Sequence, residues 1–436
     1  MLQTRCYDLP YGRVSATLLS LTLAAAGCAS APGGAADETL DDTAADEGVV
    51  STSGDVFAPD GSSRDTPSRG EEIPADTTQS DVSLRSAGET TEGDAGVHLE
   101  PDASQAVTWL IGGFVAGVGP QTLVLSGGMI SEVLSPDDSP PTGVKIIDVE
   151  GSWLAPAFID SHVHIVYLPV AETLVAGGVA GVVDHAAPLS FFQETFGDLR
   201  VLGSGPMITA TGGYPTQSWG ANGYGIECAG TEEAIAAVDS LHDQGAAFIK
   251  VPFAGGPQLT ADTVTAVISR AHELSMKVSV HALSEQSASL AAVAGADILA
   301  HTPTESLTGP TLDLWGQRAV VSTLSAFGGS GEAVNNLEAL HQRGATVLYG
   351  TDLGNTSTAA IQSAELALLM SAGLTGAEIL VAGTSAPAAW WGFEDLGALS
   401  QGKAANILVL SADPLVDPMT LSEPAQVLVN GEPLTP

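Results

Sequence analysis

Positive charge is what this sequence lacks most: it holds 13 Lys and Arg against 51 Asp and Glu, a formal net charge of -38. A chain so acidic repels phosphate backbones and anionic lipid surfaces, which excludes nucleic acid and electrostatic membrane binding. Cysteine is scarce too, with three in all. Cys6 and Cys28 fall in a leader-like segment, so Cys228 stands alone in the mature chain and no intramolecular disulfide can form, whatever the compartment. Nor is there a membrane-spanning run near the start, because the apolar stretch from Val14 to Ala26 is too short to cross a bilayer. Hydrophobic residues nonetheless make up 44% of the 436, ample for a large core.

That short apolar stretch follows Arg5 and Arg13 and ends in Ala-Ala-Gly-Cys, the layout of a secretory leader. The ending resembles a bacterial lipoprotein signal, which implies that residues 1–28 are a signal peptide and that Cys28 becomes a lipidated first residue, anchoring the exported chain to a membrane of the cell envelope. Ala25 departs from the pattern, since such signals more often carry Leu there; ordinary cleavage with Cys28 lost is the rival. Residues 29–104 are Gly, Ser, Thr, Pro, Asp and Glu with almost no apolar periodicity, as in a disordered linker. Between Asp37 and Asp102 stand 18 acidic and 3 basic residues, so this linker is self-repelling.

Order is expected from about residue 105. TWLIGGFV, TLVLSGGMISEVL and VKIIDVEG read as short strands divided by Gly, Pro and Asp turns, and ANILVL and AQVLV repeat that character at the far end. Residues 105–153 and 397–436 are therefore expected to build one composite β-sandwich from both ends of the ordered chain. Between them, over 154–396, strand-like runs (GVAGVVD, RVLGSG, AFIKV, KVSVHA, DILAH, AVVSTL, TVLYGTD) alternate with helical stretches such as ADTVTAVISRAHELS. With the opening run WLAPAFID they number eight, which predicts an α/β chain with a (β/α)8 TIM-type barrel and its site at the carboxyl ends of the strands.

The strand ends carry the chemistry. WLAPAFIDSHVH closes on His162 and His164, and residues i and i+2 of an extended chain share a face, so both imidazoles can turn to one ion. Lys250 closes AFIKV, His281 closes KVSVHA, His301 closes DILAH and Asp352 closes TVLYGTD. Each has an ordinary alternative, a structural histidine or an aspartate capping a helix. Their joint occurrence points to metal.

With these motifs the chain resembles the amidohydrolase superfamily, in particular its imidazolonepropionase-like and metal-dependent dipeptidase branch. The likeness runs from about Ala106 to the end, through FIDSHVH, FIKV, VSVHA, ILAHTP, YGTDLG and LGALSQGKAANILVL. It implies two divalent ions of zinc type: His162, His164 and Asp352 holding the first, His281 and His301 the second, and Lys250 bridging both as a carbamate formed with carbon dioxide. It implies hydrolysis of a carbon–nitrogen bond in a small peptide, lactam or cyclic amide by a hydroxide shared between the ions, with Asp352 as general base. Lys250, between Ile249 and Val251, fits that role because desolvation lowers an amine's pKa and leaves a nucleophile.

Two alternatives remain. A one-metal deaminase of the same superfamily usually needs a glutamate three residues after the fifth-strand histidine, where this chain has Ser284, with Glu285 one place late. A non-catalytic envelope binding protein would keep the barrel without turnover. Tyr214, Trp219 and Tyr224, in the aromatic segment TATGGYPTQSWGANGYG, and His185 after the second strand are candidate substrate contacts. No Arg, and no Lys but Lys250, falls at an expected strand end, which tilts against a substrate with a free carboxylate. A small-molecule amide is the expected partner, and a homo-oligomer is left open.

Overall fold

The computed structural model describes residues 106–434. The expected signal peptide with Cys28, and the acidic linker, lie outside the described residues. Among the described residues no helix is long and apolar enough to cross a membrane.

The opening run proves to be shared between two sheets. Trp153–Pro156 pairs antiparallel with Ile407–Leu410, Leu154 opposite Val409, while Phe158–Val163 pairs parallel with Val179–Asp184. Ala157 is the joint: its N–H goes to the Asn406 carbonyl at 3.0 Å, and the next N–H, of Phe158, goes to Gly178 at 2.9 Å. Both ends of the described chain meet in one eight-stranded sheet. The strands expected to build the composite sandwich are hydrogen-bonded side by side in that one sheet. A bulge at Gly112, where φ is +78°, explains it, because the kink lets one edge of Val107–Val115 pair first with Lys145–Asp148 and then with Trp153–Pro156. Leu110, Leu123, Ile130, Leu154, Ile407 and Leu428 give this sheet its own core.

The remaining strands are parallel and follow the expected order: β1 (Phe158–Val163), β2 (Val179–Asp184), β3 (Arg200–Gly203), β4 (Phe248–Phe253), β5 (Lys277–Ala282), β6 (Ile298–Leu299), β7 (Ala319–Val321) and β8 (Thr346–Leu348). β1 and β4 are buried from end to end, as expected of strands covered on both faces. Helices fill the crossovers. Ala261–Glu273 is representative: Thr260 caps it by accepting the Thr263 N–H, and Val264, Val267, Ile268 and Ala271 line one buried stripe at helical spacing. Each large apolar side chain so buried contributes about 1.5–3 kcal/mol.

The arrangement is a mixed α/β fold of TIM-barrel type, but the closed barrel that the alternation predicts is not seen as one continuous ladder. β1–β2–β3 and β4 to β8 form separate sheets, and Met207–Ala210 pairs only with Gly225–Cys228. The breaks have local causes. After β3, Gly205 at φ +66° and Pro206, which has no N–H, end the ladder, and one bond from Ala247 N–H to the Gly203 carbonyl (2.9 Å) crosses to the β4 side. Between the ends of β8 and β1 three bonds remain, from Ser161 N–H to Tyr349, Asp352 N–H to His162 and His164 N–H to Leu353, at 2.7–2.8 Å. Asp352 itself has φ +53°, which no regular strand accommodates.

Candidate metal centre

β1 and the residue just after it carry three buried polar residues at two-residue spacing: Asp160, His162 and His164. Asp160 is an internal clamp, not a ligand. Its carboxylate accepts the N–H of His162 (3.1 Å) and the N–H and hydroxyl of Thr351, tying β1 to the segment after β8. Burial raises its pKa to about 7 against those hydrogen bonds. Asp184, at the end of β2, is likewise spent on backbone, accepting Ile165 N–H at 2.8 Å and Ala186 N–H at 2.9 Å, and burial raises it to about 6.

The histidine tautomers follow from their partners. His162 Nδ1 is 2.8 Å from the Ala300 carbonyl oxygen, which can only accept, so Nδ1 carries the proton and Nε2 offers a lone pair. His164 Nδ1 makes a longer contact of the same kind, 3.4 Å, to Ala186. Both Nε2 atoms face Asp352 Oδ1, at 3.6 Å for His162 and 3.3 Å for His164. Among the described residues these three form the one group of three or more His, Cys, Asp or Glu whose donor atoms lie close enough to share an ion, within 4.8 Å of one another. Burial by itself would raise the Asp352 carboxyl, but the hydrogen bond from His164 and the charges of His162 and His164 outweigh it and hold the group below the usual carboxylate range. Burial, then Lys250, pushes His162 well below its ordinary value.

The close approach of β8 to β1 depends on glycine. A Cβ on Gly350 would stand 2.3 Å from Val321 Cγ1 and 3.2 Å from the His162 nitrogen. At Gly354, φ +116°, it would stand 2.8 Å from His164 Cβ. Asn355 Nδ2 donates to Asp352 Oδ1 at 3.0 Å and fixes the carboxylate.

His281 and His301 stand beside this trio without joining it. Their ring centroids are 4.8 Å apart, and His301 is 4.3 Å from His162. His301 Nδ1 pairs with the Thr323 hydroxyl at 3.1 Å. The His281 ring is partly open, yet burial, then Lys250, still lowers it to about 3. Lys250 is wholly buried in β4, and burial lowers its amine to about 7. Its Nζ lies 3.2 Å from His185 Nδ1.

One expected substrate contact is thereby corrected. His185 is not at the open cleft: it is fully buried, its ring stacked on His162 at 3.9 Å. The cause is the parallel pairing of β2 with β1: the His185 N–H goes to the Val163 carbonyl at 3.1 Å, which sets the residue after Asp184 against His162, and nothing in the sequence marks that. The aromatic segment does lie over the candidate ligands. Trp219 Nε1 donates to Tyr214 Oη at 2.8 Å, the Trp219 ring is 4.9 Å from His164, and Tyr214 is 5.2 Å from His281. Tyr224, 5.3 Å from Trp219, is mostly buried behind it. Tyr167 completes the wall from the short loop after β1, 5.7 Å from Trp219 and 47% exposed. Sequence reasoning passed over Tyr167, although its place three residues after His164 was a signal. It also missed Asn355 and Thr323, which no spacing rule singles out.

On a parallel α/β scaffold of TIM-barrel type, His, His and Asp converge at the strand ends, where such folds carry their sites, close enough together to hold a metal ion. The pattern of the amidohydrolase family matches residues 153–434, and the chain belongs to that family. No curated protein sequence matches it. Among solved structures, a Xaa-Pro dipeptidase with bound methionine is 21% identical, with a TM-score of 0.66 over 76% of this chain and 100% of its own. A putative prolidase from Bifidobacterium longum is 24% identical (TM-score 0.64, 76% of this chain and 95% of its own), and the ochratoxinase of A. niger 18% (0.63, 76% and 95%). At such identities the likeness is one of fold.

Proposed function

We propose that this chain is a metal-dependent hydrolase that cleaves a carbon–nitrogen bond of a small peptide, lactam or cyclic amide. One observation carries the reading: with the His162 Nδ1 proton committed to Ala300, the His162 Nε2 lone pair, the His164 Nε2 and a carboxylate oxygen of Asp352 face one another in a buried space, an arrangement suited to a cation. The donor set fits the group. His162, His164 and Asp352 would hold a first ion, His281 and His301 a second, with Lys250 as the carbamate bridge, inside a scaffold we read as a (β/α)8 barrel with a small composite β-domain. Two divalent ions there would polarise the scissile carbonyl and bring the pKa of water towards ~7.

The protein's own residues do the rest. Asp352, turned by Asn355 and His164 through Oδ1, is left with Oδ2 to accept a proton from the attacking water and return it to the leaving nitrogen. Tyr214, Trp219 and Tyr167 wall the cleft and exclude solvent. The described cations other than Lys250 are engaged elsewhere: Arg200 with Asp395, Arg270 with Asp239, Arg318 with the Ala296 carbonyl, Arg343 with Asp313, Lys145 with Glu432, Lys403 with the Glu394 carbonyl, and Lys277 over Trp390. This supports a substrate whose wall-facing end is uncharged. The deaminase reading loses its acid, because Glu285 accepts from the Thr308 and Thr311 hydroxyls at a helix start.

The test is metal analysis of the full chain together with its activity on a mixed amide library. Close to two zinc-type ions, amide cleavage, and loss of both on chelation are expected; a single tight ion at full loading would reject the bridged pair, and metal without turnover would leave a binding protein. We also propose export and anchoring through a lipidated Cys28. An intact mass starting beyond Cys28, without lipid, would end that idea.

A further inference from the structure

His185 is wholly buried and both its ring nitrogens are engaged. Nε2 lies 2.8 Å from the Ser161 carbonyl oxygen, an acceptor only, so Nε2 carries the proton and Nδ1 is left as an acceptor. Facing that lone pair are Lys250 Nζ at 3.2 Å and, more weakly, Ser279 Oγ at 3.3 Å. The ring is held in this orientation by its packing. It is stacked on His162 with 10° between the planes, and Phe248 and Trp391 pack against it at 4.9 and 5.8 Å. Trp391 in turn donates its indole N–H to Ser161 Oγ at 3.2 Å, holding the residue whose carbonyl fixes the tautomer.

We propose that His185 is the positioning residue for Lys250: its Nδ1 receives a lysine N–H before and after carbon dioxide is added, and so sets the direction of the carbamate. The inference rests on the reading of Lys250 as a bridging carbamate. In that step the Nζ lone pair forms a bond to the carbon of carbon dioxide, one proton leaves the nitrogen for water, and the new carboxylate carries the negative charge. A single N–H remains. A carbamate is planar, as an amide is, so the direction of that one N–H fixes the plane of the two oxygens. With the N–H held by His185, the oxygens must point away from it, into the cleft. Without that acceptor the group turns about its flexible stem and the bridge is no longer preorganised.

Two substitutions in the full-length chain separate this role from packing. Asn at 185 can bring an amide oxygen near the Nδ1 position, whereas Gln reaches the Nε2 position and can keep the Ser161 bond but offers Lys250 nothing. Each variant is incubated with 13C-bicarbonate and divalent metal, and the carbamate resonance, bound metal and melting temperature are read together. His185→Gln is expected to need about tenfold more bicarbonate than wild type for half its signal, and to lose metal in step, as outer-shell losses of about 10–100-fold do. His185→Asn should stay near wild type. Equal behaviour of the two variants, whether both intact or both impaired, overturns the inference, and a parallel loss of melting temperature identifies a packing role. A wild-type protein with no carbamate resonance removes the bridging lysine itself, and this inference with it, whereas a wild-type resonance that survives in His185→Gln removes the inference alone.

Discussion

Asp352 Oδ1 lies 3.3 Å from His164 Nε2, and both atoms are buried. Burial alone would raise that carboxyl, but the hydrogen bond from His164 and the charges of His162 and His164 hold it low. A divalent ion bound among these three groups would supply the same stabilisation with positive charge of its own.

Asp352→Asn keeps an oxygen in place but removes the proton acceptor. Turnover should fall by about 10²–10⁴-fold, the usual span for general-base loss, while bound metal drops by one ion at most. Retention of more than half the wild-type turnover in a metal-replete sample would reject Asp352 as the base.

Lys250→Ala should lose most activity and regain part of it with added acetate or bicarbonate, because a small carboxylate can stand where the carbamate stood. Lys250→Glu should keep a fraction without any addition. Normal metal content and turnover in Lys250→Ala would sink the two-metal mechanism.

Gly350→Ala tests the packing that brings β8 against β1. The added methyl meets Val321 at 2.3 Å, and forcing such a contact costs about 1–3 kcal/mol. A lowered melting temperature together with weaker metal binding is expected, since the same shift moves His162. An unchanged melting temperature would show that the strands can part without loss.

Glu365 gives a pH signature away from the metal ligands. It is fully buried, accepts the Leu324 and Ser325 N–H groups at 2.9 and 2.7 Å, and burial raises its pKa against those bonds. A raised carboxyl binds protons more tightly in the folded chain than in the unfolded one. Its contribution is therefore fully present below the ordinary glutamate range, near 4.5, and is lost as pH climbs through the raised folded value. Melting temperatures of wild type and Glu365→Gln, measured on metal-free protein from acid to neutral pH, should diverge, with wild type losing ground to the variant as pH rises. Parallel curves would mean that Glu365 titrates normally.

The sequence by itself determined whatever depends on local spacing. Two-residue spacing sets His162 and His164 together at the end of β1, helical periodicity buries Val264, Val267, Ile268 and Ala271, and the alternation of strand and helix brings Lys250, His281, His301 and Asp352 to the same end of the sheets. What it could not determine are the partners supplied from far along the chain. The Ala300 carbonyl that sets the His162 tautomer is 138 residues away, and Thr351, which clamps Asp160, is 191 from it. His185 was legible as a histidine after a strand but not as one folded beneath His162 against Lys250, 65 residues on. Nor could periodicity show where the ladder opens, because Pro206, Gly205 and the left-handed Asp352 act through single backbone torsions and missing N–H groups. Face and order are local properties of a chain. Proton position, burial and strand closure are set by whichever distant atoms the fold delivers to within about 3 Å.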